Sequence, residues 1–131
     1  VSLKATIVKH LEASYSVVDL GPFNDQSVDY PDYAHKLTNN MKDNNVSIGI
    51  LICGSANGVS MAANKHANIR AAICWNKEIA ALAKQHNNAN ILSLPARFIS
   101  EQQALDIVDT FLTTEFEGGR HLRRVNKINC D

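Results

Sequence analysis

The sequence predicts an α/β fold, with a parallel sheet as the middle of three layers and helices wound over both faces. Three observations predict it. Helical and strand-like patterns alternate along the chain, as they do when parallel strands are joined by crossover helices. Residues 47–53, Ser-Ile-Gly-Ile-Leu-Ile-Cys, form a near-continuous apolar run, the mark of a strand buried on both faces. A glycine-bearing turn, Gly54-Ser-Ala-Asn-Gly58, follows that run directly and leads into a helical segment.

Residues 2–13 read as a helix, because Leu3, Ile7, Val8 and Leu11 recur at helical spacing with Lys4 and Lys9 between them. Residues 15–20, Tyr-Ser-Val-Val-Asp-Leu, read as a short β-branched strand stopped by Gly21-Pro22. After a polar stretch over 23–30, Pro31 suits the first turn of a helix running to Met41, with Asp32 near the positive end of its dipole. The strand over 47–53 and its turn lead into a short helix over 59–65. A strand over 69–74, an alanine-rich helix over 77–85 and a strand over 90–94 follow. Ser100 can cap a helix through Leu112, whose Ala104, Ile107, Val108 and Phe111 form an apolar stripe. Gly118-Gly119 breaks the chain before a last basic helix with Arg120, His121, Arg123, Arg124 and Lys127. Four strands are visible and the pattern opens on a helix. Each such helix should be fed by a preceding strand, so a first strand is expected to be missing from this chain. No repeat, low-complexity tract or linker interrupts residues 1–131, so one domain is expected.

Composition narrows the function. Apolar residues make up 45% of the 131 and charged residues 20%, which is ordinary for a globular domain and argues against disorder, collagen or a coiled coil. Thirteen Lys and Arg balance thirteen Asp and Glu, and aromatics are not interleaved with basic residues. Binding to nucleic acid or to anionic lipid by bulk attraction is therefore not expected. No apolar run approaches the ~20 residues of a membrane span. Cys53, Cys74 and Cys130 are an odd number in a chain too long to need a disulfide framework, and read as thiols of a reducing, cytoplasmic compartment.

The chemistry gathers at a few positions. Ligands bind open α/β sheets beyond the carboxyl ends of the strands. The Gly54–Gly58 turn sits there, with glycines that allow close backbone approach and a helix N-terminus facing an anion. It lacks the Gly-Lys-Ser/Thr of a P-loop and the third glycine of a dinucleotide fingerprint. It is either a small-anion site or a plain strand-to-helix turn. Cys53 is either a reactive thiol favoured by that helix N-terminus or an inert core residue. His86 either complements the end of the alanine-rich helix or shuttles protons near pH 7, and Asn87 and Asn88 are good turn residues. Arg120 and Arg124, one turn apart, either fork around a phosphate or form a solvated helix end. His10, His35, His66 and His121 read as surface residues. No cysteine or histidine pair has the spacing of a zinc site, so no metal is expected.

In order and spacing, Cys53-Gly-Ser-Ala-Asn-Gly58, Ala62-Ala-Asn-Lys65, Gln85-His-Asn-Asn88, Gly118-Gly-Arg-His121 with Arg124, and Asp29-Tyr-Pro-Asp-Tyr-Ala34 resemble the type B ribose-5-phosphate isomerases. These share fold and sequence with galactose-6-phosphate and allose-6-phosphate isomerases. The likeness spans the chain. It implies a flavodoxin- or Rossmann-like fold and a cofactor-free aldose–ketose isomerase acting on a phosphorylated pentose, as a homodimer or homotetramer with sites shared between subunits. It implies that Cys53 is the base moving a proton between C2 and C1. Some relatives use a glutamate at the place held here by Val59. Ser55 and the backbone of Gly54, Ala56, Asn57 and Gly58 would stabilise the enediolate. His86 would open the sugar ring and Asn87 would contact substrate. Arg97, Arg120 and Arg124 would hold substrate and phosphate. The family begins with a strand ending in an Asp-His pair, and this sequence starts just after it. Two alternatives stand beside this reading: a six-carbon sugar phosphate as substrate, and a non-catalytic phosphate-binding subunit.

Overall fold

The structure, a computed structural model, describes residues 2–24 and 27–130; positions 25 and 26 of the polar stretch lie outside them. The elements in chain order are α1 (Ser2–Glu12), α2 (Tyr30–Asp43), β1 (Gly49–Cys53), α3 (Asn57–Ala63), β2 (Ala71–Ile73), α4 (Lys77–Gln85), β3 (Ile91–Pro95), α5 (Glu101–Thr113) and α6 (Arg120–Val125). The sheet is parallel with order β1-β3-β2, so the last strand to be made lies in the middle. Gly49 aligns with Ile91, and Cys53 with Pro95. All five residues of β3 are buried, as a central strand covered on both faces must be.

Alternation along the strands sorts the core into two layers. Leu92 and Leu94, with Ile50 and Ile52 against them, pack on Ile7, Leu11, Ala80, Ile107 and Phe111 of α1, α4 and α5. Leu51 and Ile91, with Cys53 against them, pack on Ala34, Met41, Val59 and Ala63 of α2 and α3. Each large apolar side chain so buried contributes about 1.5–3 kcal/mol. Gly49 sets how close α2 comes, because a Cβ there would lie 2.8 Å from the Met41 sulfur. α5 begins where the sequence predicts. The Gln103 amide donates to the Ser100 hydroxyl at 3.1 Å and the Ser100 amide to the Gln103 side chain at 2.7 Å, a reciprocal cap.

The expected strand over 15–20 does not form. This segment pairs with no strand among the described residues, and Val18 is 68% exposed. A strand exists only where a ladder partner takes its backbone groups. Here side chains tether it instead: Lys4 donates to Asp19 at 3.0 Å and to the Pro22 carbonyl at 2.7 Å, and Lys36 donates to the Leu20 carbonyl at 2.9 Å. Between this segment and β1 runs an apolar groove of about 740 Å³. The Gly49 amide and the Cys53 carbonyl bond toward β3's side of the sheet. By alternation, the backbone groups of Ile50 and Ile52 therefore face the groove.

Candidate active site

The turn after β1 is held from three sides. The Ala96 amide donates to the Cys53 carbonyl at 2.9 Å and the Arg97 amide to the Gly54 carbonyl at 3.1 Å, so the end of β3 clamps the start of the turn. The Arg97 side chain lies over Gly54, where a Cβ would stand 3.0 Å from its Nε. The Asn57 amide donates to the Ser55 hydroxyl at 3.3 Å. Ala56 has left-handed backbone, φ 65°, a conformation costing an L-residue about 1–2 kcal/mol. Its strain is held by the buried Ser60, whose hydroxyl donates to the Ala56 carbonyl at 2.7 Å. On the third side Tyr30, the first residue of α2, lies across Gly58 so closely that a Cβ there would fall 2.4 Å from its ring as it now stands. Cys53 is half-buried at the strand's end, bordering the apolar groove together with Tyr30 and Val59. Ser55, Asn57 and Arg97 are exposed.

His86, Asn87, Arg120 and Arg124 sit at the other end of the sheet. His86 is the C-cap of α4, with its amide donating to the Leu82 carbonyl at 2.9 Å. Asn88 takes left-handed backbone, φ 47°, and its carbonyl accepts from Arg70 Nε at 2.8 Å, which turns the chain into β3. The Glu117 amide donates to the Gln85 carbonyl at 3.1 Å and so docks the segment before α6 against the end of α4. Gly118 and Gly119, both at positive φ, then bend the chain into α6. There the His121 ring stacks on His86 with centroids 4.2 Å apart. Desolvation holds His121 below the usual imidazole range, reinforced by His86, Arg120 and Arg124 and opposed by Glu117.

β3 runs between these two groups of residues. At about 3.3 Å per residue, its five positions separate them by roughly 15 Å within one chain. One copy of the chain thus brings Cys53, Gly54, Ser55, Ala56, Asn57, Gly58 and Arg97 together, and separately His86, Asn87, Arg120 and Arg124, but does not join the two groups. Cys74 is fully buried, which pushes its thiol up to about 12 and makes it inert. Sequence reasoning missed Tyr30 and Ser60, although Tyr30 lies inside the Asp29–Ala34 motif. It also read His35, His66 and His121 as surface residues. His35 Nδ1 instead pairs with His66 Nε2 at 2.6 Å, and His121 packs on His86. No helix among the described residues is long and apolar enough to cross a membrane.

The model of the ribose/galactose isomerase family matches residues 1–128. The chain belongs to that family. Among its relatives is a protein of Mycoplasma pneumoniae named "Probable ribose-5-phosphate isomerase B", 51% identical over 128 residues, which cover 96% of this chain and 84% of the relative. The crystal structure of a ribose 5-phosphate isomerase from Thermotoga maritima is 48% identical with a TM-score of 0.93, covering 97% of this chain and 88% of that one. Ribose-5-phosphate isomerase B from Mycoplasma genitalium, solved with bound ribulose-5-phosphate, is 47% identical with a TM-score of 0.93, covering 98% and 86%. The expected parallel α/β architecture is the architecture of this ribose/galactose isomerase family member.

Proposed function

We propose that this chain interconverts D-ribose 5-phosphate and D-ribulose 5-phosphate in the cytoplasm. The observation that carries the reading is the ribulose-5-phosphate held by the Mycoplasma genitalium protein, whose fold this chain matches at 47% identity. The chemistry follows from the residues. His86 moves the proton that opens the furanose ring. The Cys53 thiolate takes the proton from C2, and the electron pair of that bond moves into an enediolate. The Ser55 hydroxyl and the amides of the Gly54–Gly58 turn receive the charge that develops on oxygen, a task for fixed donors. Cys53 then returns the proton to C1. One proton passes from C2 to C1 and one hydroxyl proton from O2 to O1, so atoms and electrons balance with no redox cofactor. Arg97, Arg120 and Arg124 bind the phosphate, whose binding energy is remote from the reacting carbons, and Asn87 contacts the sugar.

The two separated groups make this a reaction for more than one copy. We place Cys53 and its turn from one copy opposite His86, Asn87, Arg120 and Arg124 from another, in a homodimer or a larger homo-oligomer. Exposed apolar side chains beside both groups support the contact: Phe98, next to Arg97, is 73% exposed, and Leu122, next to His121, is 48% exposed. The test is ribulose 5-phosphate formation from ribose 5-phosphate. The wild type should turn over, and Cys53→Ala and His86→Ala should each be inactive. Mixed as equal unfolded pools and refolded, the two variants should recover about a quarter of wild-type activity, because half the dimers are hybrids with one intact site each. An inactive wild type on the five-carbon sugar, but active on galactose or allose 6-phosphate, would move the substrate and keep the mechanism. Inactivity on all three would refute the isomerase reading in favour of a phosphate-binding subunit.

A further inference from the structure

We propose that His86, Glu117 and His121 form a binding site for a divalent transition metal ion, zinc foremost, which shares His86 with the proposed isomerisation and draws its other two ligands from outside it. Their ligand atoms lie within 4.8 Å of one another. Glu117 Oε1 is 3.5 Å from His121 Nε2 and 3.9 Å from His86 Nε2. Ligands around a tetrahedral zinc, at bond lengths near 2.0–2.1 Å, stand about 3.3 Å apart, so the carboxylate is already near its place and the two rings must turn to meet the ion. Two imidazoles and one carboxylate are a borderline ligand set that suits zinc and leaves one position open for water or an anion.

The ligands come from three pieces of backbone whose relative placement is fixed. His86 caps α4, His121 lies in the first turn of α6, and the Glu117 amide is bonded to the Gln85 carbonyl at 3.1 Å. The two glycines between Glu117 and His121 carry the turn that lets both face His86. The rings now stack nearly parallel, at 12°, so ligation requires them to open about their side-chain torsions toward a common point. His86 is 40% exposed and Glu117 51%, which leaves room for that rotation and for an ion to enter. The carboxylate offsets the positive charge that Arg120 and Arg124 exert on His121.

One consequence rests on the proposed function: an ion that takes the His86 nitrogen removes the ring-opening group, so zinc inhibits the enzyme. The site is tested by titrating Zn²⁺ by calorimetry, and Co²⁺ by visible absorption, into the full chain and its variants. The wild type should bind one ion whose cobalt spectrum lacks thiolate charge transfer. His121→Ala and Glu117→Gln should each weaken binding on the order of tenfold or more, and Cys53→Ala should leave it unchanged. Equal affinity in the wild type and both ligand variants, or a thiolate band that vanishes in Cys53→Ala, would overturn the site. In parallel, zinc should slow wild-type isomerisation and leave Glu117→Gln resistant. Binding without inhibition would keep the site and overturn its role at His86. If the wild type has no isomerase activity, the proposed function falls while the titrations still decide the site.

Discussion

Gly58→Ala isolates the contact between α2 and the turn that carries Cys53. The added Cβ would stand 2.4 Å from Tyr30 Cε1, 2.5 Å from Cζ and 2.8 Å from the hydroxyl oxygen. Carbon contacts settle at about 3.5–4.0 Å, so the ring must retreat by roughly 1–1.5 Å. It is able to, because Tyr30 is 47% exposed and opens α2 with nothing helical before it. Losing that packing costs about 1 kcal/mol. Gly58 is itself helical and without positive φ, so alanine returns about 0.8–1.0 kcal/mol of helix propensity. The two terms nearly cancel, and Tm should move by no more than about 4 °C. Activity should not be spared. Displacing a wall of the site by about 1 Å predicts a kcat/KM lower by roughly ten- to a hundredfold. Thermal melts and the ribose 5-phosphate assay on one preparation check both halves. Wild-type kcat/KM in the folded variant would remove Tyr30 from the site. A collapse in Tm would show that the ring has nowhere to go.

Four further outcomes are expected. Cys53→Ala should lower kcat by about 10²–10⁴-fold, the range for a lost proton-transfer group, while a phosphorylated competitive inhibitor still binds; wild-type turnover would remove Cys53 as base. Arg124→Ala should act mainly on KM, with kcat/KM falling about ten- to a hundredfold for one lost charged hydrogen bond; unchanged kinetics would place it outside the site. Ser93 is fully buried on the central strand, and its hydroxyl has no partner among the described residues, so Ser93→Ala should be neutral or should raise stability by up to about 1–3 kcal/mol in urea unfolding; a clear loss would reveal a partner. Ser100→Ala removes the reciprocal cap of α5 and should cost about 1 kcal/mol in the same measurement; no change would mean that the helix start is held by packing alone.

Periodicity and local chemistry decided much of this protein by themselves. The alanine-rich helix runs from Lys77 to Gln85 as its pattern requires, and Ser100 caps α5, because helix boundaries answer to residues within a turn of them. The Cys53–Gly58 turn was legible because its glycines, and the buried run before it, are properties of adjacent residues. Three things belonged to the tertiary structure. Nothing local says that β3 enters between β1 and β2, since strand order is set by which helix packs over which face. Residues 15–20 carry β-branched residues yet form no strand, because a ladder needs a neighbour that local sequence does not supply. The separation of Cys53 from His86 by the length of β3, and the meeting of His86 with Glu117 and His121 some thirty residues on, are relations between positions far apart in the chain. Spacing along the sequence does not reveal that cluster, because it measures distance along the chain, whereas side chains converge in space.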